Sequence, residues 1–370
     1  MLYTLKIRLY PSPEQAAQLL RTMERFNDAC NLISQIAFDN KTFGKTILQR
    51  LCYYQIRNKF KLSSQMVVRA IAKVCESYSD KKKRENQHTF KPHGAIVYDD
   101  RILTVKSIDK VSILTLDGRI FAPMSVCQYH ARILDKALRV RGQTDLGCID
   151  GKFYLFLVAE CADEPETITK DFLGVDLGIA KIATTSDGKF YSGSKVKNIR
   201  RRYFRLRQRL QAKGTKSAKR KLKQRRRKES RFATNVNHCI SKRLVEVAKG
   251  TQRAIVLEDL KGIRQRARKG TRQTVCKTMR QALSSWSFYQ LRQFIEYKAR
   301  AAGVLVIYVD PRNTSRTCSK CGHVDKKSRR DQEHFVCTAC GHALNADINA
   351  ALNISRRGAA VIQPNVAKSA

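Results

Sequence analysis

Acidic residues are scarce in this chain. Asp and Glu number 31 against 73 Lys and Arg in 370 residues, a formal charge of +42. A compact protein with that excess repels itself unless a polyanion or salt neutralises it, so the composition points to nucleic acid as the partner. Long apolar runs are also missing. None approaches the ~18 residues that a spanning helix needs, and the opening MLYTLKIRLYPSPEQ alternates like a strand without a signal-peptide core. The readable helices mix basic and packing residues and show no clean Trp/Leu face, which argues against a membrane surface as the anion. These absences lead us to expect an intracellular, cytoplasmic protein with no membrane partner. Paired cysteine spacing is rare too. Of 12 cysteines, Cys30, Cys52, Cys75, Cys127, Cys148, Cys161, Cys239 and Cys276 show none and read as packing thiols. Inside a cell, metal sites and buried thiols are favoured over disulfides.

What is present divides the chain, whose length allows two or three domains. Tyr3, Leu5, Ile7 and Leu9 share one face of a strand. Ser12, Pro13 and Gln15 make a capping-box helix start, and Leu19, Met23, Phe26, Cys30 and Ile33 then recur at helical spacing. A second helix is expected from Ser63 or Ser64, and the polar, basic SDKKKRENQHTFKPHG at 79–94 ends this helical part. From Ala95 to Glu160 short alternating strands, with hairpins at Asp117-Gly118 and Asp150-Gly151, suggest a small antiparallel barrel. The strand at 2–10 can join it, which makes the helical part an insertion. From Phe172 the pattern is mixed α/β. Strands carry LGVDL, AIVLEDL and VLVIYVD, and a helix capped by Ser284 or Ser285 stops at Gly303. The last sixteen residues, 355–370, show no period and are expected to be loose.

CSKCG at 318–322 and CTACG at 337–341 give C-x2-C-x15-C-x2-C. Each pair presents two thiolates from one tight turn, and the following Gly lets the backbone fold back. Cys318, Cys321, Cys337 and Cys340 are therefore expected to hold a structural, tetrahedral Zn²⁺ with no open position. Nearby Lys and Arg help keep the thiolates ionised. His323, His334 and His342 are spare ligands that four cysteines make unnecessary.

Asp176 stands between Val175 and Leu177 in an apolar strand, where a carboxylate is costly unless a cation holds it. Glu258 lies on the apolar strand IVLEDL. Asp347 follows the second knuckle, and Asn345 can cap the helix that places Asp347 in its first turn, where the dipole favours the ionised form. Three such carboxylates can converge at one sheet edge if Mg²⁺ or Mn²⁺ neutralises them. Two such ions about 3.5–4 Å apart can activate water and stabilise the leaving oxygen of a phosphodiester. Blander roles stand beside these. Asp259 could be the inward acid, Asp187 only a turn residue of the Asp187-Gly188 hairpin, and Asp310 a strand-end residue.

Together, GVDLGIAKIATTSDG, IVLEDLKGI, SWSFYQLRQFIEYKA, PRNTSRTCSKCG and NADINAALNI resemble the TnpB/OrfB proteins of insertion sequences. These are RNA-guided DNA endonucleases that look ancestral to the type V CRISPR effectors. The likeness runs in order through the C-terminal half; the N-terminal half is similar in layout. It implies an α/β multidomain chain with an RNase H-like RuvC nuclease domain over 171–354, carrying a zinc-knuckle target-binding insert at 315–343. It further implies a wedge-like antiparallel β-barrel over 1–10 and 95–170, with a helical recognition domain inserted at 11–94; the segment 355–370, which lacks periodicity, is expected to be a disordered tail. The resemblance makes Asp176, Glu258 and Asp347 the catalytic, magnesium-binding triad and the four cysteines zinc ligands. Its cofactors would be Mg²⁺ or Mn²⁺, Zn²⁺ and a noncoding guide RNA. Its target would be double-stranded DNA beside a short flanking motif, in a prokaryotic cytoplasm. Where the family often reads Asp-Arg-Asp, this chain has Asn345-Ala346-Asp347.

The stretch 195–231, KVKNIRRRYFRLRQRLQAKGTKSAKRKLKQRRRKESR, lies between the two acid-bearing strands. Tyr203, Leu206 and Leu210 support a helix there, broken at Gly214. A run of this kind can be a solvated face or an import signal, but its position fits a groove for guide RNA or its heteroduplex, read by shape and backbone. Arg200, Arg201, Arg202, Arg205, Arg225, Arg226 and Arg227 are the candidate contacts. Readers of the flanking motif would be Ser64, Gln65 and Arg69, with Tyr53 and Tyr54 nearby; Gln can pair adenine edges. A guided DNA-binding regulator without nuclease activity, or a plain RNA-binding structural protein, would not need the acidic trio. The oligomeric state, monomer or dimer, is not read from the chain.

Overall fold

A computed structural model describes residues 1–80, 84–166, 169, 171–225, 228–260, 287–331 and 333–366. The chain forms two compact units, Met1–Ala162 and Asp163–Ala370.

In the first unit, seven strands make one antiparallel sheet. They are β1 (Leu2–Leu9), β2 (Ile96–Tyr98), β3 (Leu103–Ser107), β4 (Lys110–Thr115), β5 (Gly118–Ser125), β6 (Ala137–Ile149) and β7 (Lys152–Cys161), ordered β2-β6-β7-β1-β5-β4-β3. The N-terminal strand is thus central, pairing with β7 on one side and β5 on the other. Its alternation buries Leu5, Ile7 and Leu9. Both expected hairpins form. Thr115 faces Gly118, and Ile149 faces Lys152 across Asp150 and Gly151, which adopt φ of 53° and 74°, the left-handed pair that a two-residue turn requires. The Tyr98 hydroxyl on edge strand β2 donates to the Leu114 carbonyl of β4 at 3.0 Å. The sheet therefore curls until its margins approach, giving a nearly closed barrel.

Helices α1 (Pro13–Asp39), α2 (Lys45–Phe60) and α3 (Ser64–Ser77) share the core of this sheet, and a short α4 (Gln128–Asp135) precedes β6. Ser12 and Gln15 form the reciprocal capping box, and α1 buries Leu19, Met23, Phe26, Cys30 and Ile33. Ser63 caps α3, accepting from the Met66 amide. Helix α2 was not anticipated, because Gly44 at its start offers no side-chain cap and only Leu48, Cys52 and Ile56 are buried.

The second unit is built on five strands, β8 (Phe172–Asp176), β9 (Lys181–Thr185), β10 (Phe190–Ser192), β11 (Ala254–Glu258) and β12 (Val306–Val309), ordered β10-β9-β8-β11-β12. β8, β11 and β12 run parallel, while β9 and β10 are antiparallel additions. Among the described residues its α-helices are α5 (Ser194–Lys213), α6 (Lys216–Arg225), α7 (Lys228–Gly250), α8 (Phe288–Ala302) and α9 (Ala346–Val366). Period-two alternation divides the parallel strands between two faces. Leu173, Val175, Ile255 and Leu257 pack with Leu244 of α7 and Leu291 and Ile295 of α8. Ala254, Val256, Ile307 and Val309 pack with Ile354 of α9. On this second face α9 lies against the strand backbone. A Cβ on Gly174 would sit 2.0 Å from the Ala351 carbonyl oxygen, and one on Gly358 would sit 2.3 Å from the Val256 side chain.

Of the segment expected to be loose, the structure describes residues 355–366; residues 367–370 lie outside the described residues. The helix continues to Val366, Ser355 donates to the Phe172 carbonyl, and Arg357 donates to the carbonyls of Asp310 and Arg312. The packing there uses small residues, so no large apolar period marks it. Gly214 (φ 62°) ends α5 and Gly303 (φ 70°) ends α8, as expected. Ser287 precedes α8; Ser284, Ser285 and Cys276 lie outside the described residues. Among the described residues no helix is long and apolar enough to cross a membrane.

Candidate active site

β8 and β11 are in parallel register, Val175 beside Leu257. Asp176 and Glu258, one residue on, therefore end neighbouring strands on the same face. That is the face Gly174 and Val256 present to α9, and Asp347 occupies the first turn of α9. The expected cap is present, with Asn345 Oδ1 accepting from the Asp347 amide at 3.1 Å. Three chain segments thus bring the trio to one end of the sheet. Ala346, where the related pattern carries Arg, is fully buried with Cys318, Phe335 and Cys337.

The electrostatics show the strain of this grouping. Burial, then the charges of Glu258 and Asp347, push the Asp176 carboxyl up to about 7, against the opposing pull of Arg329 and the Leu177 amide. Burial also raises Glu258, while the Thr314 hydroxyl, donating to Glu258 Oε1 at 2.5 Å, works in the other direction. Two cations offset the cluster. Lys181 Nζ lies 3.3 Å from Asp347 Oδ2, and an Arg329 guanidinium nitrogen lies 3.7 Å from Oδ1. Among the described residues, a group of ligand atoms all within 4.8 Å of one another is found at the four cysteines and not at these acids. Glu258 is drawn toward Thr314, and Asp347 toward Lys181 and Arg329.

The rival acids have other partners. Asp259 binds Arg292 at 2.8 Å, and Arg292 stacks 3.7 Å from the Tyr308 ring centroid. Asp187 is more than a turn residue: both its oxygens accept from Arg253 at 2.7 Å. Asp310 accepts from the Arg312 amide at 3.0 Å in a local turn.

Cys318 Sγ lies 3.8 Å from Cys340 Sγ, and Cys321 Sγ lies 3.6 Å from Cys337 Sγ. Sulfurs about 2.3 Å from a central zinc form a tetrahedron with edges of about 3.8 Å, so the spacing suits that ion. Gly322 (φ 77°) and Gly341 (φ 68°) turn their amides back to the Cys318 and Cys337 carbonyls, both at 3.0 Å. Amides of Cys340 and Ala339 hold the Cys337 thiol down to about 6. At Cys321 the amide of His323 acts in the same sense but is outweighed by hydrogen bonds with the other thiols, which push it up to about 12. His334 is taken up by Asp331 at 2.8 Å, away from the sulfurs.

In the basic stretch, Arg201, Arg202, Arg205 and Arg225 are exposed, and Arg200 is half-buried, its pKa lowered by that burial. Arg200, Tyr203, Arg207, Lys223 and Arg225 line a cavity of about 800 Å³ between α5, α6 and α7. Arg226 and Arg227 lie outside the described residues. In the first unit, Tyr54 is 73% exposed and packs edge-on to Tyr53, and Ser64 is exposed beside the capping Ser63. Gln65 and Arg69 are already engaged. Both donate to the buried carboxylate of Asp99, Arg69 through Nε at 2.8 Å.

Thr314, Lys181, Arg329, Asn349 and Asn353 were not singled out from the sequence. Asn349 and Asn353 did leave a sign: two amides four residues apart among the small and apolar residues of NAALNI mark a buried polar contact.

Comparison with known proteins agrees with these motifs. Residues 155–262 match the OrfB_IS605 family model, described as "Probable transposase", and residues 288–354 match the TNB domain of Cas12f1-like proteins. A CRISPR-associated endodeoxyribonuclease Cas12f1 of Sulfoacidibacillus thermotolerans is 35% identical over 52% of this chain and 47% of its own length. A TnpB-like protein of Methanocaldococcus jannaschii is 34% identical over 35% of this chain and 44% of its own. These matches thus span a little under half of each curated relative. The fold is similar to that of a Cas12f1 chain solved in a Cas12f1-sgRNA-target DNA complex, with TM-score 0.60 and 15% identity over 96% of this chain and 98% of that one. The resemblance to TnpB/OrfB proteins is shown by family models and named relatives alike.

Proposed function

We propose that this chain is an RNA-guided DNA endonuclease of the insertion-sequence type, with the second unit as an RNase H-like, RuvC-type nuclease. The observation that carries the reading is the register of Asp176 beside Glu258, with Asp347 on the helix that covers the same face. Gathering three partly buried acids is costly, and a bound cation would offset that cost. Asp176, Glu258 and Asp347 would hold Mg²⁺ or Mn²⁺, and their all-oxygen donor set suits these hard ions. When bound, the ions supply an activated water and neutralise the leaving oxygen of a phosphodiester. The protein's own part is positional. Thr314 orients the Glu258 carboxylate, Asn345 fixes Asp347 at its helix start, and Lys181 and Arg329 keep positive charge where phosphate would approach.

Cys318, Cys321, Cys337 and Cys340 would hold a structural zinc in the target-binding insert. The exposed arginines of 200–225 would line the path of a noncoding guide RNA. Double-stranded DNA beside a short flanking motif would be the target, and Tyr53, Tyr54 and Ser64 are free to meet it more directly than Gln65 and Arg69. The test is twofold. RNA that copurifies with the full chain should be one abundant noncoding species ending in a variable segment. With that RNA and Mg²⁺, labelled duplex DNA matching the segment should be cut, while the Asp176→Ala protein binds and does not cut. Retained cutting by that variant would refute the assignment.

A further inference from the structure

The loop between β12 and the first knuckle touches both candidate metal sites. Thr314 is 3% exposed. Its hydroxyl lies 2.5 Å from Glu258 Oε1 and 3.1 Å from the Pro311 carbonyl, so its single proton goes to the nearer carboxylate. The backbone of the same loop is held by two buried amides of α9. Asn353 Nδ2 donates to the carbonyls of Thr314 and Thr317, at 2.9 and 2.7 Å. Asn349 Nδ2 donates to the Thr317 carbonyl at 2.8 Å, and its Oδ1 accepts from the Ser319 amide at 2.9 Å. Thr317 and Ser319 flank the zinc-ligand position Cys318, which is itself fully buried. Arg356, further along α9, closes the set by donating to the Ser319 carbonyl.

Thr314, Ser319, Asn349 and Asn353 are buried and partnered, so this part of the network has few ways to rearrange. Moving Cys318 displaces the carbonyl of Thr317, which both asparagines grip. Asn353 grips Thr314 as well, and Thr314 aims the Glu258 carboxylate. We infer that Thr314 is a positioning residue for Glu258, and that the four-cysteine knuckle sets Thr314 through Asn349 and Asn353. Occupancy of the zinc site thereby tunes the acid cluster. The inference rests on Glu258 being a ligand for a divalent ion, as proposed above.

The experiment measures Mn²⁺ affinity of the full chain by electron paramagnetic resonance, without nucleic acid and with melting curves to check folding. Thr314→Val keeps the shape and loses the hydroxyl. It should weaken Mn²⁺ binding about tenfold, the usual effect of removing an outer partner of a ligand, and Thr314→Ser should restore it. Stripping zinc from the wild type should weaken Mn²⁺ binding to a similar degree without any substitution. Stripping zinc from Thr314→Val should add nothing further, because the link is already cut. Unchanged Mn²⁺ affinity in a folded Thr314→Val protein overturns the positioning role, and additive losses overturn the link to zinc. Absence of Mn²⁺ binding in the zinc-loaded wild type is a different result: it defeats the nuclease reading itself, and the inference with it.

Discussion

Asp176 should cost the protein stability for as long as no metal is bound. Its carboxyl is raised from 3.8 to about 7 in the folded chain. In the unfolded chain it returns to about 3.9. The folded state therefore holds a proton that the unfolded state has lost, and stability falls as pH rises from about 4 to about 7, then levels off. A rise of that size corresponds to about 4 kcal/mol. Asp176 keeps a partly accessible edge, and solvent there screens it, so about 2 kcal/mol is the realistic penalty. Asp176→Asn is nearly isosteric and removes the charge. In Mg²⁺-free buffer at pH 8 it should raise the melting temperature of the second unit by about 4–8 °C, and at pH 5 the gain should shrink because the folded wild-type acid is then protonated and uncharged. Mg²⁺ should stabilise the wild type and leave the variant nearly unmoved, since only the wild type keeps the full ligand set. Guided cleavage should vanish in the variant. Equal melting of the two proteins at pH 8 without Mg²⁺ would refute the claim that the acids repel one another unneutralised.

The remaining expectations are simpler. Purified protein should carry about one zinc per chain, and replacing Cys318 and Cys321 by Ser should abolish target cleavage before it lowers the main melting transition; normal cleavage by zinc-free protein would sink that role. Changing exposed Arg201, Arg202 and Arg205 to Gln should weaken RNA binding and reduce the salt slope by up to about 2, at about 0.7 per lost phosphate contact. An unaltered slope would make the run a solvated face. Asp187→Ala should lower stability by about 0.5–1 kcal/mol through loss of its two-point contact with Arg253, without abolishing cleavage. A melting temperature identical to wild type would show the pair to be idle.

The elements most legible in the sequence were those fixed by local chemistry. Ser12, Pro13 and Gln15 announce α1 because a capping box needs only residues three apart. Asp150-Gly151 announces its hairpin because few residues tolerate those angles. The cysteine spacing announces the four-thiol cluster because each C-x2-C turn presents two sulfurs together. Less legible was whatever depends on contacts between distant segments. The end of α9 looked loose because it packs through small residues, Gly358 against the Val256 side chain and Ser355 onto the Phe172 carbonyl, and small residues leave no period. Gln65 and Arg69 looked free because nothing local reveals Asp99, thirty or more positions away.

The same distinction explains the candidate site. An acid in a core strand is conspicuous, since a lone carboxylate among Leu and Val contradicts its surroundings. The cations that answer it are not, because in a chain with 73 Lys and Arg no single one stands out. Lys181 lies just beyond Asp176 on the next strand, and Arg329 lies between the two cysteine pairs, yet both end within 4 Å of Asp347. Arg329 also lowers the pKa of Asp176. Its segment is therefore tied to the acids by charge, while the loop holding Cys318 is tied to them by hydrogen bonds through Thr314 and the two asparagines. Excess positive charge in the rest of the molecule suits a polyanion at any point of its surface. Here it does something more particular: Lys181 and Arg329 stand against Asp347 and temper the repulsion among three gathered carboxylates.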